Sequence, residues 1–315
     1  MAQWQPTASI ALLKQRANLL RNIREFFFHR NVVEVEVPLL AQHGVTDPYN
    51  DNFAVSYFNQ SLFLQTSPEY HLKRLLCAGA PDIYQLAKAF RYEENGKYHN
   101  PEFTMLEWYR IDWTYQQLIQ EVIEFVQCIV GPVDIAKYSY QDLFQHFCDF
   151  DPLTISTEAL QKFAKGQQIV CLSQHLSKDD WLNLIFTQLI EPQFKTPKNN
   201  LVIISDYPKS QAALAQVEGQ TAKRFEIYLN GIELANGFQE LSDPKEQRLR
   251  FEADNVIRNT LNKTPMKIDP FFLNALEQGH LPNCSGVALG VDRLLMAACE
   301  KADIQDVLSF SISNA

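Results

Sequence analysis

With 315 residues the chain has room for one large domain or two medium ones and can bury a sizeable core. It has no apolar run of roughly 18 residues and no basic stretch leading into an apolar one, which argues against a helical membrane span and a secretory leader. A net charge of −9 with no basic stripe speaks against a large nucleic acid as the main partner, and six cysteines without C-x-x-C spacing speak against zinc and disulfides and for the cytoplasm.

Apolar residues at Ile10, Leu13, Ala17, Leu20, Ile23 and Phe27 predict a helix over 9–30. A β-branched strand over 32–37 follows, closed by Pro38. Ser67-Pro68-Glu69 reads as a helix start, with a capping serine, proline at the first helical position and an acid in the first turn; the helix would stop at Gly79. Two extended segments, 83–91 and 103–113, flank a polar loop. Alternation puts Phe103, Met105, Glu107 and Tyr109 on one face of the second segment, and Arg91 with Glu93 stand across the loop from His99-Asn100-Pro101-Glu102. A guanidinium fork suits a phosphate or carboxylate and an aromatic face suits a base. Taken alone, the stretch is equally an exposed hairpin with solvated charges.

Thr114-x-x-Gln117 is a capping box opening a helix with Leu118, Val122, Phe125, Val126 and Ile129 inward. Short helices over 141–147, 157–165 and 179–190 suggest a core-building helical insertion around 140–195, and a buried-type strand follows at 201–205. Asn230-Gly231 signals a two-residue hairpin turn with Leu229 facing Ile232, Tyr228 facing Glu233 and Glu226 diagonal to Glu233. Those two carboxylates either straddle a cation such as Mg²⁺ or are independent solvated acids. Asn236, Phe238 and Glu240 alternate after them. Asp243-Pro244-x-Glu246 opens a helix to about 262, a short helix covers 270–278, and a strand containing Gly286 and Gly290 runs into a helix over 291–299 with Asp292 and Arg293 near its start. Neither G-x-G-x-x-G nor G-x-x-x-x-G-K-[ST] occurs, so a Rossmann or P-loop site is not supported.

A helix plus strand ending in Pro38, the Phe-Arg-x-Glu hairpin and Gly-x-Asp-Arg opening a late helix come in the order of the three motifs of class II aminoacyl-tRNA synthetases, which this chain resembles from about residue 8 to 312. The segments TSPEYHLKRLL, FRYEENGKYHNPEFTMLEWY and ELANGFQELSDPKEQ resemble the lysyl-tRNA synthetase branch nearly residue for residue. The first motif begins within ten residues of the start, which leaves no room ahead of it for an anticodon-binding barrel. The expectation is therefore a freestanding paralogue like the elongation factor P–lysine ligases.

The resemblance implies an α+β class II catalytic fold over 1–315, a mostly antiparallel sheet flanked by helices, pairing as a homodimer through the first motif. It implies activation of lysine, preferentially (R)-β-lysine, with ATP and Mg²⁺, and transfer to a lysine side chain of elongation factor P rather than to tRNA. Arg91 and Arg293 would be catalytic. ATP would be held by Arg91, Tyr92, Glu93, His99, Asn100, Phe103, Glu233, Leu234, Gly290 and Arg293, and Mg²⁺ by Glu226 and Glu233. Lysine or β-lysine would be held by Ser67, Pro68, Glu69, Glu107, Tyr109, Asn236, Phe238, Glu240 and Ala288. Ala288 stands where tRNA-charging relatives usually have glycine. The rival readings are a tRNA-charging enzyme, a non-catalytic lysine or ATP sensor, and an asparagine-synthetase-like enzyme; the sensor is disfavoured because Arg91, Glu226, Glu233 and Arg293 are all present, and the last by the lysine-type set Glu69, Glu240 and Tyr109.

Overall fold

The structure is a computed structural model that describes residues 4–92, 95–171, 176–196 and 199–315. The chain divides into two compact units, residues 1–130 with 240–315 and residues 131–239.

In the first unit, Ser9 caps helix α1 (Ile10–Phe28) by accepting the Leu12 amide on its side-chain oxygen. The buried face of α1 is turned from the one its spacing predicts. Leu12, Leu19, Ile23, Phe26 and Phe27 are inside, while Ile10 is 63% exposed. The reason is aromatic: Phe27 stacks on Tyr84 at 4.4 Å and meets Trp108 edge-on at 5.3 Å, and this packing sets the helix rotation. Of the predicted strand over 32–37, only β1 (Val33–Glu34) pairs. Strands β2 (Leu40–Ala41), β3 (Ala54–Tyr57) and β4 (Gln60–Leu64) make a small separate sheet in the order β2-β4-β3.

Helix α2 (Glu69–Cys77) ends before Gly79, whose φ of 91° suits glycine. Strands β5 (Ile83–Phe90) and β6 (Glu102–Ile111) form the predicted antiparallel hairpin, with Gln85 opposite Glu107 and Ile83 opposite Tyr109. Thr114 and Gln117 exchange the expected capping hydrogen bonds ahead of α3 (Tyr115–Val130).

The second unit holds β7 (Asp134–Ser139), α4 (Tyr140–Cys148), α5 (Thr157–Gly166), α6 (Lys178–Ile185), β8 (Asn200–Pro208), β9 (Val217–Glu218), β10 (Thr221–Leu229) and β11 (Ile232–Gln239). Ser139, Ser156 and Ser177 cap the three helices. The helix predicted over 179–190 widens into a π turn at Phe186–Ile190. Leu143, Phe144, Leu160, Leu182 and Ile185 pack with Val202, Ile204 and Tyr228 of the sheet ordered β11-β10-β8-β7, where β7 and β8 are parallel and the other pairs antiparallel. These helices and strands share one hydrophobic core within the second unit.

The chain then returns to the first unit through α7 (Pro244–Thr260), α8 (Pro270–Asn274), β12 (Cys284–Gly290) and α9 (Val291–Ala298). There the sheet order is β1-β5-β6-β12, with β1 parallel to β5 and the other pairs antiparallel. One face of β6 carries Trp108, which packs on Phe27 and Phe125 of α1 and α3; the opposite face carries Phe103, Glu107 and Tyr109. Tyr70 of α2 stacks on Phe272 at 4.8 Å beside Phe251, which locks α2, α7 and α8 together. The architecture is the expected α+β one. Among the described residues no helix is long and apolar enough to cross a membrane.

Candidate active site

The polar face of β6 is the floor of a buried acidic pocket. Glu107 and Tyr109 are each 2% exposed, and the Tyr109 phenol donates to Glu107 Oε1 at 2.6 Å. Ser67 donates to Glu107 Oε2 at 2.6 Å and accepts the Glu69 amide at 3.1 Å, so the Ser-Pro-Glu turn both starts α2 and anchors the β6 carboxylate. Pro68 sits at the helix cap. Glu240, also 2% exposed, enters just after β11 and is tied by its amide to the Cys284 carbonyl. Ala288 lies directly opposite Glu107, and Gly286 opposite Tyr109. A side chain at Gly286 would overlap the Tyr109 ring and Glu240 Oε1, so glycine there is what lets the two groups approach the strand.

Lys73 completes this pocket, and sequence reasoning missed it. Its ammonium is fully buried, 2.6 Å from Glu69 Oε1 and 2.5 Å from Glu240 Oε2. The available signal was the four-residue spacing from Glu69, the interval of a helical ion pair. Burial pulls the Lys73 basicity down, but the charges of Glu240 and Glu69 more than offset it and carry it above its ordinary value. Burial pushes Glu107 up to about 7, helped by Glu69 and opposed by Ser67 and Tyr109. Burial likewise lifts Glu240 to about 8, against the pull of Lys73. Three acids share one resident cation, so negative charge is in excess.

At the other end of the hairpin, the Arg91 guanidinium lies 5.1 Å from the Phe103 ring centroid. Tyr92 is 60% exposed, with its ring edge-on to Phe53 and its amide on the Asp51 carbonyl. Glu93 lies outside the described residues. His99 Nε2 is 2.6 Å from Arg293 Nη2, and Arg293 Nε donates to the Tyr98 carbonyl, so the late helix grips the hairpin loop. Asn100 uses both ends of its amide within the chain, donating to the Glu102 carbonyl and accepting the Ile312 amide. Gly290 caps α9 opposite Met105.

A second omission is the brace behind this end. Asp292 accepts from Arg16 at 2.6 Å, and Arg16 also donates to the Thr104 hydroxyl.

In the second unit, Tyr228 faces Glu233 as predicted, and a bulge between Ile227 and Tyr228 brings Asn236 directly opposite Glu226. Glu226 is 8% exposed and accepts from Arg224 at 2.5 Å, Tyr228 at 2.6 Å and Asn236 at 3.4 Å. Glu226 is thus not a freely solvated acid. Leu234 is buried at the bulge, and Phe238 packs on Ala212, Ala215 and Ala222.

Among the described residues no group of three or more His, Cys, Asp or Glu is placed to hold a metal. The oxygen donors nevertheless suit Mg²⁺, because the buried Asn236 Oδ1 has no hydrogen-bond partner and stands beside Glu226, ready to accept a hard cation.

Arg91 and, from α9, Arg293 stand at one end of the β5–β6 hairpin, and the acidic pocket lies at the other. The family model for class II tRNA synthetases (D, K and N) matches residues 3–314. The chain is similar to the elongation factor P–(R)-β-lysine ligase of Haemophilus ducreyi, at 45% identity over 99% of this chain and 97% of the relative. The proteins of the same name from Proteus mirabilis and Pasteurella multocida are each 44% identical, over 100% and 99% of this chain and 99% and 98% of their own lengths. By sequence match, the chain belongs to the class II tRNA synthetase family.

Proposed function

We propose that the protein is an ATP-dependent, AMP-forming ligase that activates lysine, preferentially (R)-β-lysine, and transfers it to a lysine side chain of elongation factor P. The observation that carries this is the set of buried Glu107 and Glu240 with half-buried Glu69 around one resident ammonium, an environment that accepts a substrate with two ammonium groups and penalises one with fewer. Full-length likeness to ligases of that name supports the acceptor.

In this reading, Arg91 braces the substrate carboxylate against the α-phosphate as a carboxylate oxygen attacks phosphorus and the bond to pyrophosphate breaks. Phe103 stacks on the base. Tyr92, Glu93, Asn100, Leu234 and Gly290 line the nucleotide, and His99 with Arg293 holds the outer phosphates. Glu69 takes one substrate ammonium, while Glu240 with Glu107 and Tyr109 takes the distal one; Ser67, Pro68 and Ala288 shape the pocket. Glu226 and Glu233, with Asn236, would hold Mg²⁺, which neutralises phosphate charge when bound. The acceptor amine then attacks the acyl carbon and AMP leaves.

We assign the chain as one class II catalytic domain with its helical insertion at 140–195, acting in the cytoplasm. The exposed apolar residues Phe28 and Val33 of the first motif support a homodimer.

The test is to activate labelled lysine and β-lysine with ATP and offer unmodified elongation factor P and bulk tRNA side by side. Label on elongation factor P is expected; label on tRNA alone would establish the charging enzyme instead.

A further inference from the structure

Of the groups in the acidic pocket, Lys73 is the one for which the proposed reaction has no direct use. It is completely buried, and it forms ion pairs with Glu69 within its own helix and with Glu240 from the far wall. A buried ammonium is retained at that cost only where its charge is needed.

The pocket holds three carboxylates, Glu69, Glu107 and Glu240. The other titratable neighbours are Tyr109 on β6, Cys77 on α2 and Cys284 on β12, all pushed up by burial and therefore neutral. Three negative charges less one leaves two. That balance matches a substrate presenting two ammonium groups, and without Lys73 the bound complex would keep an uncompensated charge.

We infer that Lys73 is a positioning and specificity-determining residue that sets the pocket's charge to match a diammonium substrate and tethers Glu69 and Glu240 to one shared ammonium. This rests on the proposed lysine-type substrate. It assigns to Lys73 no contact with the reacting atoms. Before substrate arrives, the raised basicity of Glu107 and Glu240 lets the acids share a proton, and the incoming dication displaces it.

Two measurements test this. The first uses the wild-type protein: calorimetry of lysine binding at about pH 7.5, in buffers of different ionisation enthalpy, reads the protons exchanged. Net release is expected for lysine and little or none for norleucine, which lacks the distal ammonium. Lysine binding with no proton release overturns the charge balance, whereas no lysine binding at all refutes the substrate reading instead.

The second measures ATP–pyrophosphate exchange against pH for wild type, Lys73→Met and the charge-balanced double variant Lys73→Met/Glu69→Gln. Lys73→Met is expected to raise KM for lysine about tenfold or more with kcat little changed, and to move the range over which KM falls with pH upward, because the acids that lose their resident cation hold protons more tightly. The double variant should return that range towards the wild-type one even if the single variant does not fold. A Lys73→Met protein with wild-type KM and a parallel profile would overturn the inference. So would a folded double variant whose KM falls only over the higher pH range.

Discussion

Asp292, in the first turn of α9, accepts the backbone amide of Thr104 in the middle of β6 at 2.7 Å. Its other oxygen takes Arg16 of α1, which also holds the Thr104 hydroxyl, so three elements meet on one buried carboxylate. This junction positions Arg293, the next residue, over the hairpin loop. Replacing Asp292 with alanine leaves the Arg16 charge and the Thr104 amide unpaired. The expected cost is about 3–5 kcal/mol in denaturant unfolding, with Asp292→Asn milder because it keeps an acceptor for the amide.

Arg293 spends one nitrogen on the Tyr98 carbonyl and presents another beside His99. Lysine at this position keeps the charge but loses the fork that does both. Arg293→Lys is expected to lower the rate of pyrophosphate exchange by about 10²-fold. The melting temperature should stay near that of the wild type, since the residue is only half-buried. Equal losses of rate and stability would mark it as a structural clamp.

The pocket wall separates two small residues that look alike in sequence. A methyl at Gly286 runs into the Tyr109 ring and Glu240, so Gly286→Ala is expected to cost about 1–3 kcal/mol and to raise KM for the amino acid. Ala288, opposite Glu107, tolerates the reverse change. Ala288→Gly should stay within about 1 kcal/mol of wild type and shift the ratio of α- to β-lysine activation. An unchanged ratio removes Ala288 from the specificity set.

The pocket acids also make stability depend on pH in a definite direction. Burial lifts Glu107 to about 7 and Glu240 to about 8, above the carboxylate value of 4.5. A raised acid stabilises the fold fully below its unfolded value, and that contribution is lost as pH rises through the folded value. The ligand-free protein is therefore expected to melt lower at about pH 8.5 than at about pH 6. Glu107→Gln should flatten the fall, and saturating lysine should reduce it by supplying the missing cations. Melting curves across this range, with and without lysine, read both effects.

Glu226 is held by Arg224, Tyr228 and Asn236, so its removal frees a buried guanidinium. Glu226→Gln is expected to weaken the Mg²⁺-dependent thermal shift measured with ATP by at least about tenfold in metal concentration. An unaltered Mg²⁺ titration would assign Glu226 to the Arg224 pair alone.

Local pattern made much of this legible in advance. The alternation of Phe103, Glu107 and Tyr109, the Asn230-Gly231 turn and the Thr114–Gln117 box each depend on neighbours within a few residues, and each stands where the spacing puts it; the Ser-Pro-Glu start of α2 is displaced by one, with Pro68 rather than Ser67 at the cap. The rotation of α1 was not legible, because the choice between two overlapping apolar stripes is made by Phe27 meeting Tyr84 and Trp108, rings that are distant in sequence. Nor was the bulge at Ile227 and Tyr228, which one inserted residue creates only when two strands pair.

For the Phe90–Tyr109 hairpin, sequence alone determined which side chains share a face and, through its motifs, the chemistry they resemble. Tertiary structure decided what those side chains face. In the sequence Lys73 shows only a four-residue spacing from Glu69; folding places its ammonium between Glu69 and Glu240. Periodicity fixes the direction of a side chain along its own element, but burial and charge balance depend on groups that only folding brings within a few ångströms.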